Sequence, residues 1–215
     1  METVLTGIIG MGSGSLTNEL IDLFQSSPDM PASSAFIQRR NKIKPEAFKA
    51  IFDGFSKGIM TEFSGEMPVF AVDGSDIQIA TNPDAPESYF PGRNGQKGYN
   101  LLHLNALYEI NHHIYADSVI QKRKDWNEHK ALLEMVGRSP VPKALIIADR
   151  GYESYNNMAH IQAKGWHFLI RVKDGRGSIK GNLELPEQEM FDMDINLKIT
   201  RKQSNEVKEL LKDKN

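Results

Sequence analysis

Two stretches of the chain share one pattern, a continuous apolar run that ends in an aspartate and is soon followed by a glycine. The first stretch is Val69–Val72 with Asp73 and Gly74, and the second is Ala144–Ala148 with Asp149. An apolar run without polar alternation is typical of a strand covered on both faces, as in the middle of an α/β sheet. We therefore predict two central strands that end at Asp73 and Asp149, with a sharp turn at Gly74.

The carboxyl ends of these two strands are where we expect chemistry, because open α/β sheets gather ligands at that edge. If the strands are parallel neighbours, their ends lie about 4.8 Å apart, and Asp73 and Asp149 could share a divalent metal ion. Mg²⁺ suits such a pair, since it binds one or two carboxylates and keeps water or phosphate oxygens in its other positions. A purely structural role is the alternative for each aspartate, because an aspartate before a glycine is also an ordinary turn former.

The rest of the apolar pattern predicts a mixed α/β sheet. The elements after the first strand are strands at 101–110 and 114–120, a helix from Asn127 to about Gly137, the strand at 144–148, a helix over 155–164 and a strand over 167–172. The order βββαβαβ is that of ribonuclease H, in which the first and fourth strands are parallel neighbours; this step rests on fold analogy. His112 and His113 fall on the turn between the second and third strands. They are either surface residues or metal ligands.

A helical segment is predicted before the sheet, over residues 1–67. Its first residues, up to Gly14, are small and rich in glycine, and no structure is predicted for them. Helices are predicted after Ser15, over about 33–43 and from Pro45. Arg39 and Arg40 in the second helix either contact DNA or keep a basic face solvated.

A glycine-rich loop with two cations, Arg93 and Lys97, follows the first strand within residues 89–99. Its amides and cations could approach a phosphodiester, because glycine lets the backbone come close. A wide hairpin loop is the alternative. No helix follows the loop, so it is not a P-loop.

Composition narrows the function classes. The chain has 215 residues, a net charge of −2 and no cysteine, so it can bury a real core but cannot form disulfides or thiolate metal sites. No apolar run approaches the roughly 20 residues of a membrane span, and the N-terminus lacks the order of a signal peptide, so we expect a soluble cytoplasmic protein. The net charge is low for a nucleic-acid-binding chain, but an acidic run lowers it: Glu184, Glu187, Glu189, Asp192 and Asp194.

Several segments together resemble the DDE transposases of the IS4 type. They are Ala71–Ser75, the loop at 92–99, Ala148–Tyr152 and Phe168–Lys173, and residues 34–48 are similar to the leading segment of that group. The resemblance covers most of the chain in consistent order. It implies a ribonuclease H-like, Mg²⁺-dependent enzyme, with Mn²⁺ as a substitute, that cuts and joins DNA at the ends of an insertion sequence.

The resemblance also implies roles for individual residues. Asp73 and Asp149 match the first two acids of the family's triad, which would hold the metal ions that activate a water or a 3′ hydroxyl in an in-line displacement. Arg150, Arg171 and Lys173 would lie at the active edge, although solvated strand and helix ends explain them equally well. The predicted DNA contacts are Arg39, Arg40, Arg93, Lys97, Arg150, Arg171 and Lys173. Transposon-end DNA is the expected partner, and a homodimer is one assembly open to the intact protein.

The family's third acid is a glutamate in the pattern Tyr-x-x-Arg-x-x-x-Glu, which does not occur in these 215 residues. Residues 181–215 are interpreted as the start of a β-rich insertion that the family places between its second and third acids. Alternating apolar residues predict its first strand: Phe191, Met193, Ile195, Leu197 and Ile199. We therefore expect a helical segment over 1–67, a catalytic core over 68–180 and an incomplete insertion, in a fragment or truncated remnant that is defective in transposition.

Two alternatives from other classes stay open. One is a catalytically inactive DNA-binding or protein-binding module, whether a decayed transposase or an inhibitor of an intact relative. The other is a different ribonuclease H-like nuclease, which would take its third carboxylate from Asp76, Glu153 or Glu184. Asp76 and Glu153 are more simply a turn residue and an acid at a helix start.

Overall fold

The structure is a computed structural model that describes residues 2–62, 65, 67–174, 178–188 and 190–196. The chain divides into two compact units, Met1–Phe55 and Ser56–Asn215. The boundary between them falls inside one long helix. The predicted three-part division at residues 67 and 180 stays a prediction.

The first unit is helical. Its elements are α1 (Glu2–Gly10), α2 (Leu16–Phe24), α3 (Ser33–Arg40) and the first part of α4 (Pro45–Glu62). Ser15 caps α2 as predicted, since its side chain accepts a hydrogen bond from the amide of Asn18. The absence of structure expected before Gly14 is wrong, because α1 forms there. Gly7 in α1 lets helices come close, since a Cβ at this position would lie 2.6 Å from the Leu23 side chain.

The second unit contains a mixed sheet. Its strands are β1 (Val69–Ile79), β2 (Tyr89–Phe90), β3 (Tyr99–Glu109), β4 (Ile114–Lys122), β5 (Leu145–Ala148) and β6 (His167–Ile170). The helices are α5 (Glu128–Arg138) and α6 (Tyr155–Ala163), with 3-10 turns at Arg123–Asp125, Arg150–Tyr152 and Ile179–Asn182. The side chain of Asn127 caps α5 by accepting from the amide of Lys130, as the sequence predicts.

The strand order is that of ribonuclease H. β3 pairs antiparallel with β1 and with β4, whereas β1, β5 and β6 run parallel, so the long strands lie in the order β4-β3-β1-β5-β6. The two-residue β2 adds to the start of β3. The predicted ribonuclease H-like mixed sheet is therefore confirmed, including the parallel pairing of its first and fourth strands.

Strand lengths differ from the prediction because partners decide where a strand ends. β1 does not stop at Asp73 but continues to Ile79, since β3 pairs with it as far as the Ile79–Asn100 pair. Its parallel partner β5 ends earlier, at the Val72–Ala148 pair. β6 likewise ends at Ile170, opposite Ala148, and not at Val172. In the helical unit, α3 ends at Arg40, before the predicted Ile43.

One face of the sheet carries the hydrophobic core. Over Val69–Val72 of β1 and over β5, alternate residues are buried and the residues between them are half-buried, so the two faces are not covered equally. The Phe70 ring stacks on Trp166 with centroids 5.3 Å apart, and the Trp166 indole donates to the carbonyl of Val141. The core residues are Phe70, Val72, Leu107, Leu132, Met135, Val136, Ala144, Ile146, Ala148, Tyr152, Ile161 and Trp166.

The strand predicted from Phe191 is wrong over the residues that the structure describes, because 191–196 has no regular structure. Leu197 and Ile199 lie outside the described residues. The alternating pattern meets no partner strand here, and Met190, Phe191, Met193 and Ile195 are exposed. Among the described helices, none is long and apolar enough to cross a membrane.

Candidate metal and catalytic site

The register of β1 and β5 brings the two predicted acids side by side. Val72 pairs with Ala148 in the parallel ladder; Asp73 is the next residue of β1, and Asp149 directly follows the end of β5. Neighbouring strands lie about 4.8 Å apart. Both side chains are exposed, so a ligand can reach them from solvent.

Backbone amides orient each carboxylate. Oδ1 of Asp73 accepts from the amide of Gly74 at 2.8 Å, and Oδ1 of Asp149 accepts from the amide of Gly151 at 2.6 Å. The second oxygen of each carboxylate takes no part in these bonds and can face a cation. Two hard oxygen donors fit Mg²⁺, which fills its remaining positions with water or phosphate oxygens. Within the described part of the chain, no three Asp, Glu or His side chains are close enough to hold one ion together.

Tyr152 lies buried beside this pair and was not predicted as a site residue. Its side chain is 1% exposed, and its hydroxyl has no hydrogen-bond partner among the described residues. Burial raises the pKa of Tyr152 well above its ordinary value, and the charges of Glu128, Asp73 and Asp149 raise it further. The hydroxyl therefore lies in the field of three carboxylates.

Glu128 belongs to a side-chain network that the sequence did not reveal. Nε2 of the buried His103 lies 3.2 Å from Oε1 of Glu128, and Nδ1 lies 2.7 Å from Oδ1 of Asp76. The guanidinium of Arg123 binds the other oxygen of Asp76 at 2.9 Å, and it stacks over Trp126 at 4.5 Å. Because the four groups come from β1, β3, α5 and the link before α5, only the folded chain assembles them.

Of the residues considered as a third acid within this chain, Glu153 lies just before the N-cap of α6, as an acid at a helix start would, whereas Asp76 departs from the expectation. Asp76 is a strand residue and not a turn former; its hydrogen bond with His103, followed by Arg123, lowers its pKa. Glu153 accepts from the amides of Lys173 and Ile179, which ties it to the segment after β6. Glu184 is exposed and lies outside the helices and strands.

Three of the predicted DNA contacts lie at the same edge as the acids. Arg150 directly follows Asp149, and the amide of Arg171 donates to the carbonyl of Ala148. Lys173 follows two residues later, and all three side chains are exposed. This edge therefore combines two carboxylates with three cations.

The other predicted contacts lie elsewhere. Arg93 and Lys97 are on the loop between β2 and β3, next to the far end of β1, about 20 Å along the strand from Asp73 at a rise of about 3.3 Å per residue. This loop is a hairpin connection, since Phe90 pairs with Tyr99. Arg39 and Arg40 occupy the last turn of α3 in the first unit.

The two histidines of the β3–β4 turn have structural partners. The amide and Nδ1 of His112 bind Oε2 of the buried Glu109 at 2.7 and 2.8 Å. His113 has a positive φ of 58° in the turn, and its ring contacts Tyr108. This turn lies at the start of β1, away from Asp73, because Glu109 also accepts from the amide of Val69.

A family model described as Transposase DDE domain matches residues 64–213, which is more than half of the chain and includes the whole sheet. The chain belongs to this family. The DDE part of the resemblance is therefore confirmed, and both Asp73 and Asp149 fall inside the DDE domain. The match is to the domain as a whole, so the IS4 type stays a prediction.

Among solved structures, this chain is similar to one titled "Cryo-EM structure of piggyBac transposase synaptic complex with hairpin DNA (SNHP)". The identity is 12% and the TM-score 0.42, over 79% of this chain and 39% of that chain. The chain thus spans well under two thirds of the length of that transposase. No curated protein matches the chain significantly.

Proposed function

We propose that the DDE domain belongs to a transposase that cuts and joins DNA strands at the ends of an insertion sequence, and that it contributes Asp73 and Asp149, two of the family's three acids, as ligands of Mg²⁺. The observation that carries the proposal is the β1–β5 register, which sets two exposed carboxylates side by side in a chain of the transposase family. Mn²⁺ is expected to substitute, because it accepts the same oxygen ligands.

Each residue of the edge has a part in this chemistry. Asp73 and Asp149 bind and orient the cation, which when bound supplies the Lewis-acid charge for an in-line displacement at phosphorus. Arg150, Arg171 and Lys173 contact DNA phosphates and fix the register of the duplex, as cations do without reading sequence.

A Mn²⁺ titration tests the proposal on the parent chain, Asp73→Asn and Asp149→Asn. Both substitutions should abolish binding, because each removes one of the two charged ligands. Asp84→Asn, which neutralises an exposed acid in the loop before β2, is the matched control and should bind like the parent. A parent chain that binds no Mn²⁺, or variants that bind as well as it does, would refute the shared site. Circular dichroism shows whether each variant is folded.

An inactive DNA-binding module is the second candidate. It is favoured by the two-acid site, since no third acidic or histidine side chain joins Asp73 and Asp149 within the described residues. Such a module would bind DNA with a strong dependence on salt, as phosphate contacts require. It would bind DNA without Mg²⁺ or Mn²⁺, whereas the first proposal requires metal binding that depends on both acids.

A further inference from the structure

A third carboxylate, from Glu128, approaches the edge that carries Asp73 and Asp149. Glu128 is the first residue of α5, and its side chain extends to β1. A Cβ atom on Gly74, the residue after Asp73, would lie 2.7 Å from Oε1 of Glu128. The carboxylate is therefore packed against the backbone that carries the first acid.

His103 holds this carboxylate in place. The imidazole is almost completely buried, with its side chain 5% exposed, and it is bound between Asp76 and Glu128. The ring also packs on Trp126 at a centroid distance of 4.7 Å. A long side chain at a helix start usually moves freely in solvent, but this one is fixed by a buried partner.

The buried Tyr152 hydroxyl is a second feature of this part of the molecule. It is buried and has no hydrogen-bond partner among the described residues. The amide of Tyr152 donates to the carbonyl of Asp149, which ties this residue to the second acid. An unpaired buried hydroxyl costs free energy, and so this one is expected to gain a partner when a ligand or its water enters.

We propose that Glu128 is a positioning acid of the metal site: it does not ligate the cation, but its fixed negative charge strengthens divalent-cation binding by Asp73 and Asp149. This inference rests on the proposed function. It assigns Glu128 an indirect role because the three carboxylates do not form a common ligand set in the described residues. A fixed charge near the ligands acts on the cation through its field and needs no contact with either of them.

The test is a Mn²⁺ titration in which free Mn²⁺ is followed by electron paramagnetic resonance. Glu128→Gln keeps the shape of the side chain and an oxygen acceptor for His103, and should weaken Mn²⁺ binding about tenfold, as expected for the loss of one charge that acts through a partly screened field. Glu134→Gln is the matched control, since it removes the same charge from an exposed position of α5 that binds Arg138. It should leave the affinity unchanged. Glu128→Asp keeps the charge and should recover part of the affinity.

Thermal unfolding of the metal-free proteins separates a site effect from a loss of fold, because Glu128→Gln should unfold within a few degrees of the parent. If Glu128→Gln does not fold, the comparison is made with Glu128→Asp, whose shorter side chain should bind Mn²⁺ more weakly than the parent does. Equal affinity of the folded variant and the parent overturns the inference. If Asp73→Asn then still abolishes binding, the proposed function stands alone. A parent chain that binds no Mn²⁺ overturns both.

Discussion

Gly74 lies directly after Asp73, and two side chains press against its backbone. A Cβ atom here would lie 2.5 Å from Nε2 of His103 and 2.7 Å from Oε1 of Glu128. The glycine is part of a regular strand and pairs with Asn105 of β3. Its lack of a side chain therefore allows His103 and Glu128 to approach the backbone, and it does not form the predicted turn. The missing side chain makes room for the network that surrounds the first acid.

Replacing Gly74 by alanine should therefore destabilise the second unit. The added methyl group must displace His103 or Glu128, and overpacking of this kind costs about 1–3 kcal/mol. Gly137→Ala is the matched control, because nothing lies within 4 Å of a Cβ there and alanine favours the helix by about 1 kcal/mol. Urea unfolding measures both changes. If Gly74→Ala and the parent have the same free energy of unfolding, His103 and Glu128 can move aside without loss of stability, which would contradict the prediction.

The β3–β4 hairpin is tied to β1 by a buried acid. Glu109 is fully buried, and it accepts hydrogen bonds from the amides of Val69 and His112 and from the His112 ring. Burial works to raise the pKa of Glu109, but these hydrogen bonds outweigh it and lower the pKa below the ordinary 4.5. The folded state therefore favours the charged form of Glu109.

A depressed pKa in the folded state means that Glu109 stabilises the fold above its unfolded pKa. This contribution is lost as the pH falls through the lower, folded pKa. Glu109→Gln should reduce the free energy of unfolding at pH 7 by about 1–3 kcal/mol, because glutamine keeps one acceptor oxygen and its NH₂ group would face either the donor of Val69 or those of His112. The deficit should shrink when urea unfolding is repeated below pH 4.5. A deficit that is the same at both pH values would contradict this assignment.

At the scale of the whole molecule, the distribution of charge matters more than its sum. The net charge is −2, yet Arg150, Arg171 and Lys173 are exposed at the edge that carries Asp73 and Asp149. Local cations can contact phosphates even on an acidic chain, because salt screens charges that lie more than about 10 Å away at 0.1 M. DNA binding, if it occurs as proposed, should depend on this edge.

Charge reversal at the edge tests that dependence. Arg171→Glu should weaken DNA binding and lower the slope of log affinity against log salt by about 1, as for one lost phosphate contact. Lys143→Glu makes the same change in charge just before β5, at the opposite edge of the sheet. It should have a smaller effect. Equal losses in the two variants at fixed salt would indicate a general charge effect and no contact at Arg171.

The sequence by itself determined the features that depend on near neighbours. Apolar runs predicted β1 and β5, Ser15 and Asn127 predicted two helix starts, and the order of elements led to the ribonuclease H sheet. These features were predictable because burial, capping and turn formation act within a few residues. The adjacency of Asp73 and Asp149 followed from them through the known strand order.

The tertiary structure decided what depends on partners distant in the chain. β1 passes Asp73 because β3 continues beside it, and α1 forms where Gly7 lets another helix approach. The apolar alternation at 191–196 forms no strand, because a strand requires a neighbour that the pattern cannot specify. Nothing in the sequence singled out Glu128 or Glu109. Only the fold brings His103 and Gly74 next to Glu128. It also brings Val69 next to Glu109, and these neighbours give each carboxylate its role.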